Sequence, residues 1–301
     1  MTTPDVSAIL VNYNAGRELE IALRSIADEF SGERWEAVVI DNASSDGSAA
    51  AVANLSDHLR VVRNAENGGF ARGVNQGLSM TSGSLVLIMN PDCRLVPGGF
   101  AALRRELERS DSYAIAGPRI LNPDGTVQGS ARGDPNMFTG LFGRTTVLRR
   151  ALPDLAVSRR NVVSDSVGQN GSSSVTVDWL SGACMLARRV VLQSVGGFDE
   201  RYFLYWEDAD LCRRLRARGY QVRYVPTATA IHRVGHSSRG VREAAIRAFH
   251  ESAYLYYATH VAAGALPKRL LARMLLNARC WLHLRLGVQD APDGRVETSM
   301  T

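Results

Sequence analysis

The sequence predicts an α/β protein with a Rossmann-like, mostly parallel sheet that carries helices on both faces. Three observations predict it: strand and helix patterns alternate through the first half, polar residues follow each apolar run, and the pattern becomes helical after residue 240. Alternation of this kind is typical of sheets with crossover helices. We therefore expect an α/β domain over residues 1–240, a helical C-terminal appendage over 241–288 and a disordered polar tail over 289–301.

Short apolar runs give the strands of the predicted sheet. They are Val6–Val11, Trp35–Ile40, Leu59–Val62 and Leu85–Met89. Continuous apolar runs of this length indicate strands covered on both faces. Apolar residues at helical spacing follow each of the first, third and fourth runs, for example Leu19, Leu23 and Ile26 after the first.

Polar side chains lie just past the carboxyl end of each predicted strand. They are Asn12, Asp41, Asn67 and Asp92. In an open α/β sheet this edge is where ligands bind, so we expect the four to face one crevice. The alternative is that each is only a good loop or N-cap residue, which explains any one of them better than all four.

An acidic cluster in the segment Gly196–Gly219 is the strongest candidate for catalysis. Glu207, Asp208 and Asp210 follow an aromatic run, Tyr202–Trp206, and precede apolar residues at helical spacing. The cluster therefore opens a helix, where carboxylates also cap and favour the macrodipole. The adjacent aromatic side chains favour a second role for Asp208, that of a general base beside a bound hydroxyl group.

Composition and missing motifs exclude several classes of function. The net charge of +5, from 35 Lys and Arg against 30 Asp and Glu, suits anionic partners. Basic and aromatic residues do not interleave as they do in nucleic-acid-binding proteins, so nucleic-acid binding is not predicted. GxGxxG after the first strand and GxxxxGK[ST] are both absent, so a divalent metal on Asp92 is the natural way to neutralise a bound phosphate.

The location of the protein is also an expectation from sequence. The N-terminus lacks a signal peptide, no apolar stretch is long enough to span a bilayer, and the four cysteines form no CxxC pair. These features predict a cytoplasmic protein in a reducing compartment.

The order of motifs resembles family-two inverting glycosyltransferases with the GT-A fold. The motifs are VNYN, DNASSDG, NGGFARGVNQG, NPD, WLSGACML and GGFDERYFLYWEDADLCRR, followed by His232. They span roughly Val6 to Ser238. Within the family they are most similar to bacterial rhamnosyltransferases that act on N-acetylglucosaminyl-diphospho-polyprenol or on surface polysaccharide.

The resemblance implies a role for each matching residue. Asp208 is the catalytic base, and Asp92 and His232 bind a divalent metal, Mg²⁺ or Mn²⁺. The residues implied in binding the donor nucleotide are Asn12, Asn14, Asp41, Asn67 and Asn90. The residues implied in the acceptor and sugar pocket are Trp179, Ser181, Gly182, Trp206 and Glu207.

One position departs from the family pattern. Asn90 replaces the first aspartate of the DxD element, which leaves Asp92 as its only carboxylate. The resemblance implies a nucleotide-sugar donor, preferably dTDP-L-rhamnose, and a lipid-linked or polysaccharide acceptor. The alternatives are a UDP- or GDP-sugar, a non-catalytic nucleotide-sugar-binding protein and a nucleotidyltransferase. The last is disfavoured because no glycine-rich, lysine-bearing loop follows the first strand.

The C-terminal region carries an apolar stripe with basic residues around it. The stripe runs through Leu266, Leu270, Leu271, Met274, Leu275, Ala278, Trp281 and Leu282. Such a helix can lie in an anionic membrane interface, here the inner face of the cell membrane. It can equally pack on the catalytic domain or on a second subunit as a homodimer.

Three further motifs have ordinary interpretations. Asn122–Gly125 repeats the letters NPD, but its glycine predicts a surface turn. His232 and His236 lie four apart without a helical pattern or a cysteine partner, so no zinc site is predicted. The polar stretch Ser158–Ser174 predicts a loop that closes over the active site.

Overall fold

A computed structural model describes residues 3–134, 173–233 and 242–286. The strands are β1 (Val6–Asn12), β2 (Trp35–Asp41), β3 (Leu59–Arg63), β4 (Leu85–Met89), β5 (Cys93–Leu95), β6 (Tyr113–Leu121), β7 (Val127–Gln128), β8 (Ala131–Arg132), β9 (Val175–Val177), β10 (Trp179–Leu180), β11 (Cys184–Arg188) and β12 (Gln221–His232). The α-helices are α1 (Glu18–Glu29), α2 (Ser48–Ala51), α3 (Phe70–Met80), α4 (Gly99–Glu108), α5 (Arg189–Ser194), α6 (Glu207–Ala217), α7 (Arg242–Tyr256) and α8 (Leu266–Leu286).

The main sheet has the strand order β3-β2-β1-β4-β11-β6-β12-β5. The four strands predicted from sequence form its first half and run parallel. Strand β11 is antiparallel to both β4 and β6, and β12 is parallel to β6. The sheet is therefore mixed, and the carboxyl ends of β1, β2 and β4 open at one edge, next to the start of β11.

Helices cover both faces of the sheet, as predicted. On one face α1 and α4 bury Ile26 and Phe100 among the apolar residues of β1 and β4. On the other face α3 and α6 bury Val74, Leu211 and Leu215. Full burial of such a side chain contributes about 1.5–3 kcal/mol relative to exposure, which fixes both helix layers on the sheet.

The C-terminal helices pack on the segment that carries the acidic cluster. The helical pattern after residue 241 is interrupted: a π-helical turn, Tyr257–Val261, ends α7, and the chain turns at Gly264, with φ of 77°, before α8. The Ser252 hydroxyl donates to the carbonyl of Leu204 at 3.0 Å. Helix α7 is thereby attached to the turn that leads into α6.

Some sequence predictions lie outside the described residues. These are His236, the tail 289–301 and most of the predicted loop, residues 158–172. The turn predicted at Asn122–Gly125 is confirmed between β6 and β7, where Gly125 has φ of 84°. No helix in the described ranges is both long and apolar enough to cross a membrane.

Candidate active site

The ends of β1 and β2 form one polar unit. Asn12 and Asp41 are paired in register and both are buried. The Asn12 amide donates to Asp41 Oδ1 at 2.8 Å and to the Ser48 hydroxyl at 2.9 Å. The Asn12 side chain therefore fixes the orientation of the Asp41 carboxylate. The described contacts of the Asn12 side chain are with protein groups.

The loops after β1 and β2 are also joined by Asn14, which has a left-handed φ of 54°. The Asn14 side-chain oxygen accepts from the backbone N–H of Ser45 at 2.8 Å, and the backbone N–H of Asn14 donates to the Ser44 hydroxyl at 2.9 Å. Asn is among the few residues that tolerate this conformation well. The two loops thus form a single wall of the crevice.

The loop after β3 is held by an asparagine that the sequence reading passed over. Asn42 donates to the carbonyl of Gly69 at 3.0 Å and accepts from the Asn64 amide at 2.9 Å. Asn67 accepts from the Gly69 amide at 3.0 Å, which is an Asx turn at the start of α3. A role for Asn67 in donor binding stays a prediction, because its described bond is to its own loop.

The predicted metal ligands lie together, where Asp92 follows β4 and His232 ends β12. Asp92 Oδ1 is 3.2 Å from His232 Nε2, and both residues are buried. The Asn90 amide nitrogen is 3.3 Å from the same His232 nitrogen. The structure therefore brings Asn90, Asp92 and His232 together, although they are separated by about half the length of the chain.

A buried glutamine sets the orientation of this histidine. The Gln128 amide nitrogen donates to the carbonyls of His232 and of the Asn122 side chain, at 2.8 and 2.7 Å, so its oxygen must face His232 Nδ1, 3.0 Å away. Nδ1 then carries a proton and donates it to Gln128, as in many metal-binding histidines. Gln128 is a site residue that the sequence reading missed.

This hydrogen-bond network makes the Asp92–His232 pair fit a cation. With its proton on Nδ1, the imidazole turns Nε2 toward a carboxylate oxygen, and either a proton on Nε2 or a bound cation satisfies two acceptors this close. Among the described residues no group of three or more metal-ligating side chains exists. Mg²⁺ and Mn²⁺ suit such a sparse set, since Mg²⁺ sites use one or two carboxylates and take other ligands from substrate phosphates and water.

The acidic cluster opens α6, as predicted. Asp208 is half-buried, and its carboxylate accepts from the Gly182 amide at 2.9 Å and from the Ala209 amide at 2.7 Å. The residues before the helix, Tyr205 and Trp206, have left-handed φ values of 68° and 71°. Such a conformation is costly for aromatic residues and is found mostly where the surrounding structure demands it, often at functional sites.

Glu207 differs from Asp208 in its surroundings. It is buried, and its Oε2 has no hydrogen-bond partner among the described residues. Burial, with the neighbouring Asp208 adding to it, raises the pKa of Glu207 well above its usual range. Burial also raises the pKa of Tyr205 to about 12, with smaller effects from Glu207 and Asp92. The Tyr205 hydroxyl therefore lies close enough to feel the negative charges of both Glu207 and Asp92.

Asp210, the third carboxylate, has a structural role. It is buried and forms an ion pair with Arg214 at 2.7 Å and a hydrogen bond with His260 Nε2 at 2.6 Å. Since His260 lies in the π-helical turn after α7, this hydrogen bond attaches the C-terminal helices to α6. A capping contact is made by Asp208, which accepts from the first-turn amide of Ala209, whereas the contacts of Asp210 are with side chains.

The two tryptophans of the predicted sugar pocket have different neighbours. Trp179 donates to the carbonyl of Gly133 at 3.0 Å and carries the Arg132 guanidinium over its ring at 4.7 Å. Trp206 packs on Tyr256, with ring centroids 5.3 Å apart. Contact of either ring with a sugar stays a prediction.

The backbone between β10 and β11 connects the two halves of the site. The backbone N–H of Asn90 donates to the carbonyl of Ala183 at 2.9 Å. The backbone N–H of Gly182, the residue before Ala183, donates to the Asp208 carboxylate. Ser181, the remaining predicted pocket residue, donates its amide to the carbonyl of Ser130 at 2.8 Å. The backbone of Asn90 and the Asp208 carboxylate thus bond to adjacent residues of the same short segment.

Comparison with known proteins identifies the family of the chain. Residues 7–166 match the model of the family described as Glycosyl transferase family 2. Over 298 aligned residues the chain is 33% identical to the N-acetylglucosaminyl-diphospho-decaprenol L-rhamnosyltransferase of Mycobacterium tuberculosis, and the match covers 94% of each protein.

Solved structures confirm the fold. A mannosyltransferase from Pyrobaculum calidifontis, solved with GDP-Man and Mn²⁺, matches with a TM-score of 0.58 at 20% identity, over 94% of this chain and 71% of the other. GalNAc-T7, solved with UDP, GalNAc and Mn²⁺, matches with a TM-score of 0.59 at 15% identity, over 92% and 55%. Both likenesses support the GT-A fold. The chain is a glycosyltransferase and belongs to glycosyl transferase family 2.

Proposed function

We propose that the enzyme transfers a sugar from a nucleotide donor with inversion at the anomeric carbon, and that Asp208 is the general base. The observation that carries this proposal is the fixed, half-exposed carboxylate of Asp208. Two backbone N–H groups hold it, and the segment that provides one of them also contacts Asn90. A base must be fixed within reach of the proton that it removes, and these hydrogen bonds fix the Asp208 carboxylate on a segment that also bonds to Asn90.

Glu207 supports a single displacement. A double displacement, as in most retaining glycosidases, needs a second ionised carboxylate near the anomeric carbon as a nucleophile. Glu207 is the nearest candidate, and burial raises its pKa so that the neutral form is favoured. Asp208 then takes the proton of the acceptor hydroxyl while the hydroxyl oxygen attacks the anomeric carbon. The nucleoside diphosphate leaves from the opposite side of that carbon.

Other residues of the chain bind and orient the donor. Asp41, held by Asn12, accepts from the donor's pyrimidine base, and Asn14 shapes the same wall. Asp92 and His232 would hold the divalent metal, with Asn90 beside them. When bound, such an ion offsets the charge of the leaving diphosphate as a Lewis acid.

For the substrates we propose dTDP-L-rhamnose and a lipid-linked N-acetylglucosamine. The name of the Mycobacterium tuberculosis relative supports the rhamnosyl group and the diphospho-lipid acceptor. Asn90, in place of a carboxylate, suits a donor whose ribose offers one hydroxyl fewer. A UDP- or GDP-sugar with the same chemistry is the alternative.

The test is release of nucleoside diphosphate from a panel of dTDP-, UDP- and GDP-sugars with Mg²⁺ or Mn²⁺. Each reaction is run with and without polyprenyl-diphospho-N-acetylglucosamine. The controls are Asp208→Asn, which keeps the size of the side chain, and Asp178→Asn, a half-exposed carboxylate that pairs with Arg216. We expect acceptor-dependent release from dTDP-rhamnose that falls by at least about a hundredfold in Asp208→Asn only. Wild-type rates in that variant would refute the base.

A further inference from the structure

The outer face of α8 is an exposed apolar surface. Seven large apolar side chains on this helix are exposed: Leu266, Leu270, Leu271, Met274, Leu275, Trp281 and Leu282. Met274 has 70% of its surface exposed and Leu266 has 63%. Within the described ranges, the stripe itself is therefore not packed on the catalytic domain.

The helix packs on the protein through its more polar side. Ala272 and Leu276 are buried there, and Arg269 and Arg279 are partly buried on the same side. At about 100° per residue, the exposed apolar side chains occupy roughly the opposite half of the helix. A helix packed only on its own domain would show the reverse arrangement.

Basic residues border this apolar face. Lys268 lies along one margin and Arg273 along the other, by the same helical geometry. Near the C-terminal end, the Arg285 guanidinium lies 5.1 Å from the centre of the Trp281 ring. Residues 266–286 contain no Asp or Glu. Lys268 and Arg273 thus border the apolar side chains and Arg285 lies among them, so the face combines apolar and cationic groups.

This charge pattern selects among possible occupants. Two copies of the chain joined through α8 would bring two sets of cations together without an acidic residue on either helix. An anionic bilayer supplies the opposite charge and accepts the apolar side chains, which is how amphipathic helices rich in Lys, Arg and Trp bind membranes.

We propose that α8 docks on an anionic lipid bilayer and positions the catalytic helix relative to the membrane surface. The attachment runs through α7: Trp206 packs on Tyr256, and His260 pairs with Asp210, two residues after the proposed base. This inference deepens the proposed function, since a lipid-linked acceptor lies at such a surface.

The test is co-sedimentation with vesicles of phosphatidylglycerol and phosphatidylcholine in equal parts, compared with phosphatidylcholine alone. The variant is Leu270→Glu/Met274→Glu. The matched control is Val190→Glu, because Val190 on α5 is as exposed as Met274, at 70%. We expect the double variant to lower the vesicle-bound fraction by at least about tenfold, and the control to leave it unchanged. Equal binding by the wild type and the double variant would overturn the proposal.

A second measurement separates this proposal from the catalytic one. Turnover of a short-chain acceptor that dissolves without vesicles should be the same in the wild type and in Leu270→Glu/Met274→Glu. Loss of vesicle binding with that turnover intact supports docking, and vesicle binding by a wild type inactive on every acceptor would count against the proposed substrates only. A dimer in light scattering that the double variant dissociates, without vesicle binding by the wild type, would assign α8 to a second copy and overturn the proposal.

Discussion

Gly69 is the position where a single methyl group should disturb the catalytic turn most. It lies before α3 with φ of 85° and ψ of 176°, a conformation that is essentially confined to glycine. A Cβ atom there would lie 2.3 Å from the carbonyl oxygen of Phe203. That oxygen accepts from the Phe70 amide at 2.8 Å, and Phe203 belongs to the aromatic run that leads into Glu207 and Asp208.

The cost of Gly69→Ala follows from two effects. The backbone conformation costs an alanine about 1–3 kcal/mol. The Phe203 carbonyl must also move by about 1 Å to reach an ordinary contact, which weakens a hydrogen bond whose net contribution is about 1 kcal/mol. We expect a loss of about 2–4 kcal/mol and, for a chain of 301 residues, a Tm lower by about 3–6 °C. Because the carbonyl cannot move without the aromatic turn, kcat should fall as well.

Gly98→Ala is the matched control. Gly98 also has φ of 85°, but no atom lies within 4 Å of an added Cβ. It should lose only the backbone term, about 1 kcal/mol, and keep its kcat. The assay is thermal unfolding of the wild type and both variants, with initial rates at saturating donor. If Gly69→Ala proves no less stable and no less active than Gly98→Ala, the contact with Phe203 does not hold the catalytic turn.

Three other changes test separate parts of the site. Gln128→Met should raise the Mn²⁺ concentration needed for half-maximal rate by about 10–100-fold, with kcat at saturating Mn²⁺ nearly unchanged; an unaltered requirement would contradict the role assigned to Gln128. For Glu207→Gln we expect the Tm relative to the wild type to increase as the pH rises above about 4.5. Folding raises the pKa of Glu207, so the wild-type fold loses stability over that range and the variant does not. A constant difference in Tm would contradict the raised pKa. Asp210→Asn should lower the free energy of unfolding by about 3 kcal/mol in urea titrations, since it leaves Arg214 and His260 without their carboxylate; a loss below about 1 kcal/mol would show that the pair contributes little.

The first half of the fold could be predicted because its signals are local. The four apolar runs became β1 to β4 with limits shifted by no more than one residue at an end. The second half could not be drawn in the same way. Strand β11 inserts between β4 and β6 in the antiparallel direction, and residues 184–188 contain nothing that specifies which neighbours they pair with. Strand order is set by packing across the whole sheet, which a local pattern does not encode.

The candidate site shows the same limit at the level of single residues. Asp92, Asp208 and His232 stand in motifs of recognisable spacing, so sequence could nominate them. Gln128 stands in a short strand after a surface turn and acts only because β7 passes next to β6, which brings it to the end of β12. Its function follows from two hydrogen bonds, one that fixes its amide and one that fixes the histidine. A residue that acts by orienting another side chain can therefore be recognised from the fold but not from the sequence around it.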